Sequence, residues 1–122
     1  MFDHIGIGVT DLEASKAFLL RALAPLGVGV VMEVPDAIGI GKQYQPSLWL
    51  GAAQSKPLPM HIAFAAANRR QVDAFYRAAL AAGATDNGPP GLRPHYHANY
   101  YAAFVIGPDG HNFEAVCHRP EA

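Results

Sequence analysis

Apolar positions recur in two rhythms along the chain. His4 to Val9 is a short, nearly unbroken apolar run. Leu12, Ser15, Phe18/Leu19, Ala22/Leu23 and Leu26 then repeat at three- and four-residue intervals, the stripe of a helix that buries one face. Thr10-x-x-Glu13 reads as a capping box before that helix, and Gly27 sits where it should stop. The text then turns β-like: Val28 to Val34 is rich in β-branched residues and is broken by Pro35-Asp36. Ala37 to Gln43 and Ser47 to Gly51 supply two more strands. The second half follows the same order. His61 to Phe64 is an apolar run, Asn68-x-x-Gln71 a variant capping box, and Val72, Phe75/Tyr76 and Ala79/Leu80 a second helical stripe ending near Gly83. Ala84 to Asn87 is a weak strand, Tyr100 to Ile106 a strong one, Gly107-Pro108-Asp109-Gly110 a turn, and Asn112 to His118 the last strand.

The two halves are a repeat. His61 lies 57 residues after His4, and the same offset sets Ile62 on Ile5, Phe75 on Phe18 and Ala79-Leu80-Ala81 on Ala22-Leu23-Ala24. Both halves therefore read β-α-β-β-β. The expected fold is α+β, one domain over 1–122, with module 1 at about 1–52, a linker at about 53–59 and module 2 at about 60–119. Each module falls near the size at which a core of its own is marginal, so the two should share one.

Composition narrows the function. The 122 residues are 51% hydrophobic, too apolar for a disordered chain. Nine Lys+Arg against ten Asp+Glu, with no basic cluster in the sequence, argue against nucleic acid. No run approaches the ~18 apolar residues of a membrane span. Met1-Phe2-Asp3-His4 lacks the basic-then-apolar form of a leader, so a cytoplasmic protein is expected. One cysteine, Cys117, rules out an internal disulfide framework and a cysteine-rich zinc module, and six histidines point to nitrogen and oxygen ligands for any metal.

A pseudo-two-fold packing of the repeats would make His4 and His61 partners. On the final strand, alternation puts Asn112, Glu114 and Val116 on one face and Phe113, Ala115 and Cys117 on the other. A carboxylate inside an apolar strand needs a partner or a cation. Two imidazoles and Glu114 would form a 2-His-1-carboxylate set with open positions for substrate. Taken singly, a histidine such as His4 is more often a surface or satisfied core residue than a ligand, and Glu114 reads equally well as an edge-strand charge.

The opening His4-Ile5-Gly6-Ile7-x-Val9-x-Asp11-Leu12, the second His61 and the closing Gly107-Pro108-Asp109-Gly110-x-Asn112-x-Glu114 resemble the vicinal oxygen chelate superfamily. That group contains glyoxalase I, fosfomycin and bleomycin resistance proteins and extradiol dioxygenases. The resemblance runs over both halves. It implies paired βαβββ modules forming a curved, U-shaped mixed sheet around a central site, with His4, His61 and Glu114 in three of the family's ligand places. The fourth place holds Trp49, which cannot ligate. This departs from glyoxalase I and is closer to the three-ligand set of the dioxygenases. Trp49 then serves as a pocket wall or as core.

Gly91 to Tyr101 concentrates two histidines, three tyrosines, an arginine and an asparagine. Arg93 can clamp a carboxylate, His95 and Tyr100 can bind substrate, and His97 and Tyr101 can exchange protons. Alternatively, the tyrosines cover an edge or a dimer contact. Two functions follow. One is a metal-dependent enzyme that chelates vicinal oxygens of a small substrate through one divalent ion (Fe, Mn, Zn, Ni or Co), with lyase/isomerase or dioxygenase-type chemistry. The other is a protein that sequesters an antibiotic or aromatic ligand on the same fold. A homodimer is expected, with modules pairing within one chain or across two.

Overall fold

The computed structural model describes residues 1–120. The chain runs β1 (Ile5–Val9), α1 (Leu12–Leu23), β2 (Gly29–Val34), β3 (Ala37–Lys42), β4 (Gln45–Ala52), β5 (His61–Ala65), α2 (Arg69–Ala81), β6 (Thr85–Asp86), β7 (Gly91–Leu92), β8 (Tyr101–Ile106) and β9 (Asn112–Cys117). The α+β expectation holds. The strands form two separate mixed sheets, ordered β1-β4-β3-β2 and β5-β9-β8-β6, with β7 added on β8. In each sheet the opening strand pairs parallel to the closing one, β1 with β4 and β5 with β9, and the other pairings are antiparallel. The repeat read from the sequence is thus a repeat of topology.

Alternation sorts each sheet into two faces. Ile7, Leu50 and Ile38 are cross-strand neighbours on the side that packs under α1. Ile62, Phe113 and Val105 do the same under α2. These rows join Leu19 and Leu23 of α1 and Val72 and Phe75 of α2 in one continuous apolar cluster. Each module shields the other's marginal core, as two units of this size require.

Two local expectations are corrected. Thr10 is not the cap of α1. Asp11 is, its carboxylate accepting from Ala14 N at 3.0 Å. Thr10 is used elsewhere: its hydroxyl and amide both donate to Asp109, at 2.7 and 2.9 Å. α2 begins as read, with Asn68 Oδ1 accepting from Gln71 N, while the Gln71 side chain accepts from Ala67 N. The short strand β7 lies inside the segment expected to be loop. Its two residues pair with Ala102 and Tyr101, too brief a stretch for alternation to reveal.

The modules are tied at one corner. Asp109, at φ 61, turns its carboxylate onto Thr10 just past β1. His111 is fully buried, and its Nδ1 accepts from Met60 N at 2.9 Å. Its Nε2 therefore carries the hydrogen and donates to Gly8 O at 2.9 Å. Hence the end of β1 lies against the start of β5.

Candidate functional site

The face of the second sheet turned away from α2 carries the candidate chemistry. β9 puts Glu114 beside Ala63 of β5 and Phe104 of β8, and the same face carries His61, Ala65 and Ala102. The small alanines leave space in front of the carboxylate. Glu114 is 1% exposed, although it faces away from the core. His61 Nε2 lies 2.7 Å from its Oε1, and Tyr100 donates its hydroxyl hydrogen to Oε2. The His61 side chain remains 53% exposed, so the pair opens to solvent on the imidazole side. Burial, followed by the bond to Glu114, pushes the Tyr100 phenol well above its ordinary value. Tyr100 is thus a fixed donor at neutral pH.

A train of rings roofs this pair. Tyr100 meets Tyr96 edge-on at 5.0 Å and His118 edge-on at 5.1 Å, and His118 in turn meets His97 at 5.6 Å. His95 leans on Tyr96 at 4.2 Å. His97 is exposed, and its Nδ1 accepts from Asn99 N at 3.1 Å. Arg93 donates to the carbonyls of Gly91 and Pro89, both at 2.8 Å, and lies over the Phe104 ring at 5.4 Å. Its guanidinium braces the loop, with the fork spent on backbone oxygens. Tyr101 points to the opposite face of the sheet, where its hydroxyl donates to Asp73 of α2 at 2.6 Å. The structure therefore does not bring Tyr101 to Glu114.

His4 and Trp49 belong to the other sheet. Trp49 sits between Gly6 and Gly39 in one cross-strand row, on the face away from α1. A Cβ on Gly39 would meet Pro46 Cβ at 2.9 Å and the indole at 3.0 Å, so glycine is what lets the ring come this close to the strand. His4 precedes β1 and bonds Asp3 at 2.7 Å. It lines a cleft of about 430 Å³ floored by Leu26, Ile40 and Ile62. The end of β1 meets the start of β5 through His111, so His4 stands four residues upstream of that corner, about 13 Å along an extended strand, where it shares its cleft with Ile62 to Ala65. Within one chain, His61 and Glu114 meet and His4 does not join them. Among the described residues no three His, Cys, Asp or Glu side chains are grouped to hold a metal ion.

Three residues that the sequence pattern did not single out stand at the site or its corner: His118 in the ring train, Phe104 beside Glu114 and His111 at the junction of the modules. His118 was within reach of pattern alone: alternation from Glu114 through Val116 carries it to the same face. His111 was not, because its partners Gly8 and Met60 are distant in sequence.

The sequence pattern of the Glyoxalase/Bleomycin resistance protein/Dioxygenase superfamily matches residues 1–115. A glyoxalase/bleomycin resistance protein from Albidiferax ferrireducens T118 is 32% identical, with a TM-score of 0.78 over 98% of this chain and 99% of that one. A glyoxalase-related enzyme from Fulvimarina pelagi is similar in fold at 24% identity and TM-score 0.72, covering 93% of this chain and 84% of its own. A glyoxalase/bleomycin resistance protein/dioxygenase family enzyme from Burkholderia phytofirmans PsJN is likewise similar in fold at 19% identity, TM-score 0.75 and coverages of 96% and 98%. No curated protein matches the chain. No helix among the described residues is long and apolar enough to cross a membrane.

Proposed function

The chain belongs to the glyoxalase/bleomycin resistance protein/dioxygenase superfamily, and from that premise we propose that it is a small metal-dependent enzyme whose site closes between two copies of the chain. The observation that carries this reading is the buried Glu114 facing His61 on an open, alanine-lined sheet face. Two atoms bound at right angles to one ion at about 2.1 Å stand about 3 Å apart. The 2.7 Å between His61 Nε2 and Glu114 Oε1 needs only a small opening to fit. One chain supplies two donors, and His4 of a second copy supplies the third. The edges support this, since among the described residues β1 pairs only with β4 and β5 only with β9, which leaves one side of each strand available.

A divalent ion at such a set acts as a Lewis acid toward adjacent oxygens of a small substrate, in lyase/isomerase or dioxygenase-type chemistry. Tyr100 keeps its proton and fixes the Glu114 carboxylate. His97 is assigned proton transfer at the outer end of the ring train, and His95 lines the approach. Trp49 supplies an aromatic wall from the other module.

A second reading, sequestration of a flat ligand without chemistry, rests on the Trp49 indole standing against Gly39 on the sheet face away from α1. Metal analysis of protein purified without chelator separates the two. Enzyme function predicts stoichiometric metal that is lost in His61→Ala and in Glu114→Gln. Absence of metal, with quenching of Trp49 fluorescence by an aromatic ligand unchanged in His61→Ala, would establish sequestration instead. Subunit sharing is tested by mixing His4→Ala with His61→Ala. Random reassociation should restore about a quarter of the wild-type sites if donors come from two chains. None return if they come from one.

A further inference from the structure

Arg69, Arg70 and Arg119 line a single cleft of about 610 Å³ on the α2 side of the second sheet, together with Asn68, Asp73 and Tyr101. Three of the chain's nine Lys+Arg residues thus meet in one place on a protein of net charge −1. Arg119 is distant in sequence from the other two, so this concentration is a product of the fold. Asp73 is the only acid on the cleft wall among the described residues, and its Oδ1 already accepts from Tyr101. The Arg69 guanidinium lies over the Tyr101 ring at 5.1 Å, which makes the inner wall a braced unit. Arg70 and Arg119 are exposed at the rim.

The repeat provides an internal control. The positions of the first module that correspond to Asn68, Arg70 and Asp73 are Asp11, Glu13 and Lys16, so the local charge is reversed. The βαβββ packing is the same in both modules, so it does not dictate arginines here. The cleft also lies on the opposite sheet face from Glu114, as Tyr101 and Tyr100 point to opposite sides.

We propose that this cleft is a second binding site, separate from the His61–Glu114 site, for a small organic phosphate. Planar guanidinium forks match pairs of phosphate oxygens, and several on one cleft neutralise a multiply charged group that a single lysine would not hold. A cleft of this size falls in the range for whole small ligands, larger than a bare ion needs.

The test is calorimetric titration of the full chain with pyrophosphate at ionic strength fixed by sodium chloride. It is repeated in His61→Ala, so that removal of a metal by pyrophosphate cannot imitate binding. Saturable binding with equal affinity in both proteins is expected. Arg70→Gln/Arg119→Gln should weaken it at least tenfold, and Arg70→Lys/Arg119→Lys, which keeps charge but loses the forks, should fall between. Metal content should be the same in the Gln variant and the parent. Far-ultraviolet circular dichroism confirms that the variants are folded. The proposal is overturned if no saturation is seen, if the Gln variant binds like the parent, if malonate binds as tightly as pyrophosphate, or if a single-stranded oligonucleotide binds more tightly per phosphate.

Discussion

Tyr100 donates its hydroxyl hydrogen to the one Glu114 oxygen that His61 does not contact, so both oxygens of a buried carboxylate are engaged. Removing that donor leaves Oε2 buried without its partner. Tyr100→Phe should cost about 1–3 kcal/mol, read by urea denaturation at pH 7. The pH dependence has a defined sign. The phenol is held above its ordinary value of 10.0 in the folded chain, by burial and then by the bond to Glu114. Its contribution is therefore complete below pH 10 and is lost as pH rises from there. The gap between wild type and Tyr100→Phe should narrow in alkali. A gap that widens would contradict the assignment of Tyr100 as donor.

Tyr101→Phe provides the contrast. Tyr101 differs from Tyr100 by one position and so by one face of the sheet, and its partner is Asp73 on α2. Loss of that half-exposed hydrogen bond should cost about 1 kcal/mol. Any metal bound at His61 and Glu114 should be retained at wild-type stoichiometry. Loss of metal in Tyr101→Phe but not in Tyr100→Phe would reverse the roles given to the two tyrosines.

Acid stability should depend on Asp109. Burial alone would push its carboxyl up. The Thr10 hydroxyl and amide outweigh that, with His111 and Lys56 adding to them, and the net shift is downward from 3.8. A depressed carboxylate stabilises the fold above its unfolded value and loses that contribution as pH falls through the folded one. Asp109→Asn keeps a residue tolerant of the φ of 61 at this position, removes the charge and leaves one acceptor oxygen where Thr10 uses two. It should be less stable than wild type by about 1 kcal/mol at pH 7, and the difference should shrink below pH 3.8. Denaturant midpoints at pH 7 and pH 3 measure this.

How far the sequence could be read follows from which contacts are local. The order β-α-β-β-β, to which the second module adds only the two-residue β7, the stripes of α1 and α2 and the face shared by Asn112, Glu114 and Val116 depend on spacing within a single element, and each is found in the structure. The pairing of His61 with Glu114 was accessible as well, because a parallel β5–β9 pair follows from the repeat. What was not legible depends on how the modules sit. Repeat equivalence made His4 and His61 partners, yet the latch at Gly8 and His111 sets the end of β1 against the start of β5, and His4 shares its cleft with Ile62 to Ala65 further along that strand. Thr10 has the sequence of a cap, and only the three-dimensional position of Asp109 shows why it serves another purpose. Arg93 has the chemistry of a ligand clamp, but nearby carbonyls satisfy its fork first.

His111 makes the strongest claim about how the two modules hold together. It is fully buried, and each ring nitrogen serves a backbone group of a different segment: Nε2 reaches Gly8 O in β1, and Nδ1 accepts from Met60 N before β5. His111→Ala removes the ring and leaves both backbone groups without their side-chain partner. The lost packing and unsatisfied groups together should cost about 3–5 kcal/mol. His111→Gln keeps one donor and one acceptor on a shorter reach and should recover part of that loss. Because the latch fixes the end of β1, its loss should be felt beyond the corner itself. Amide hydrogen exchange in His111→Ala should rise first in β1 and β5, ahead of the β2–β3 and β8–β9 ladders. Uniform acceleration across both sheets would mean that His111 contributes only to global stability and that the modules are joined chiefly by the helix-side core.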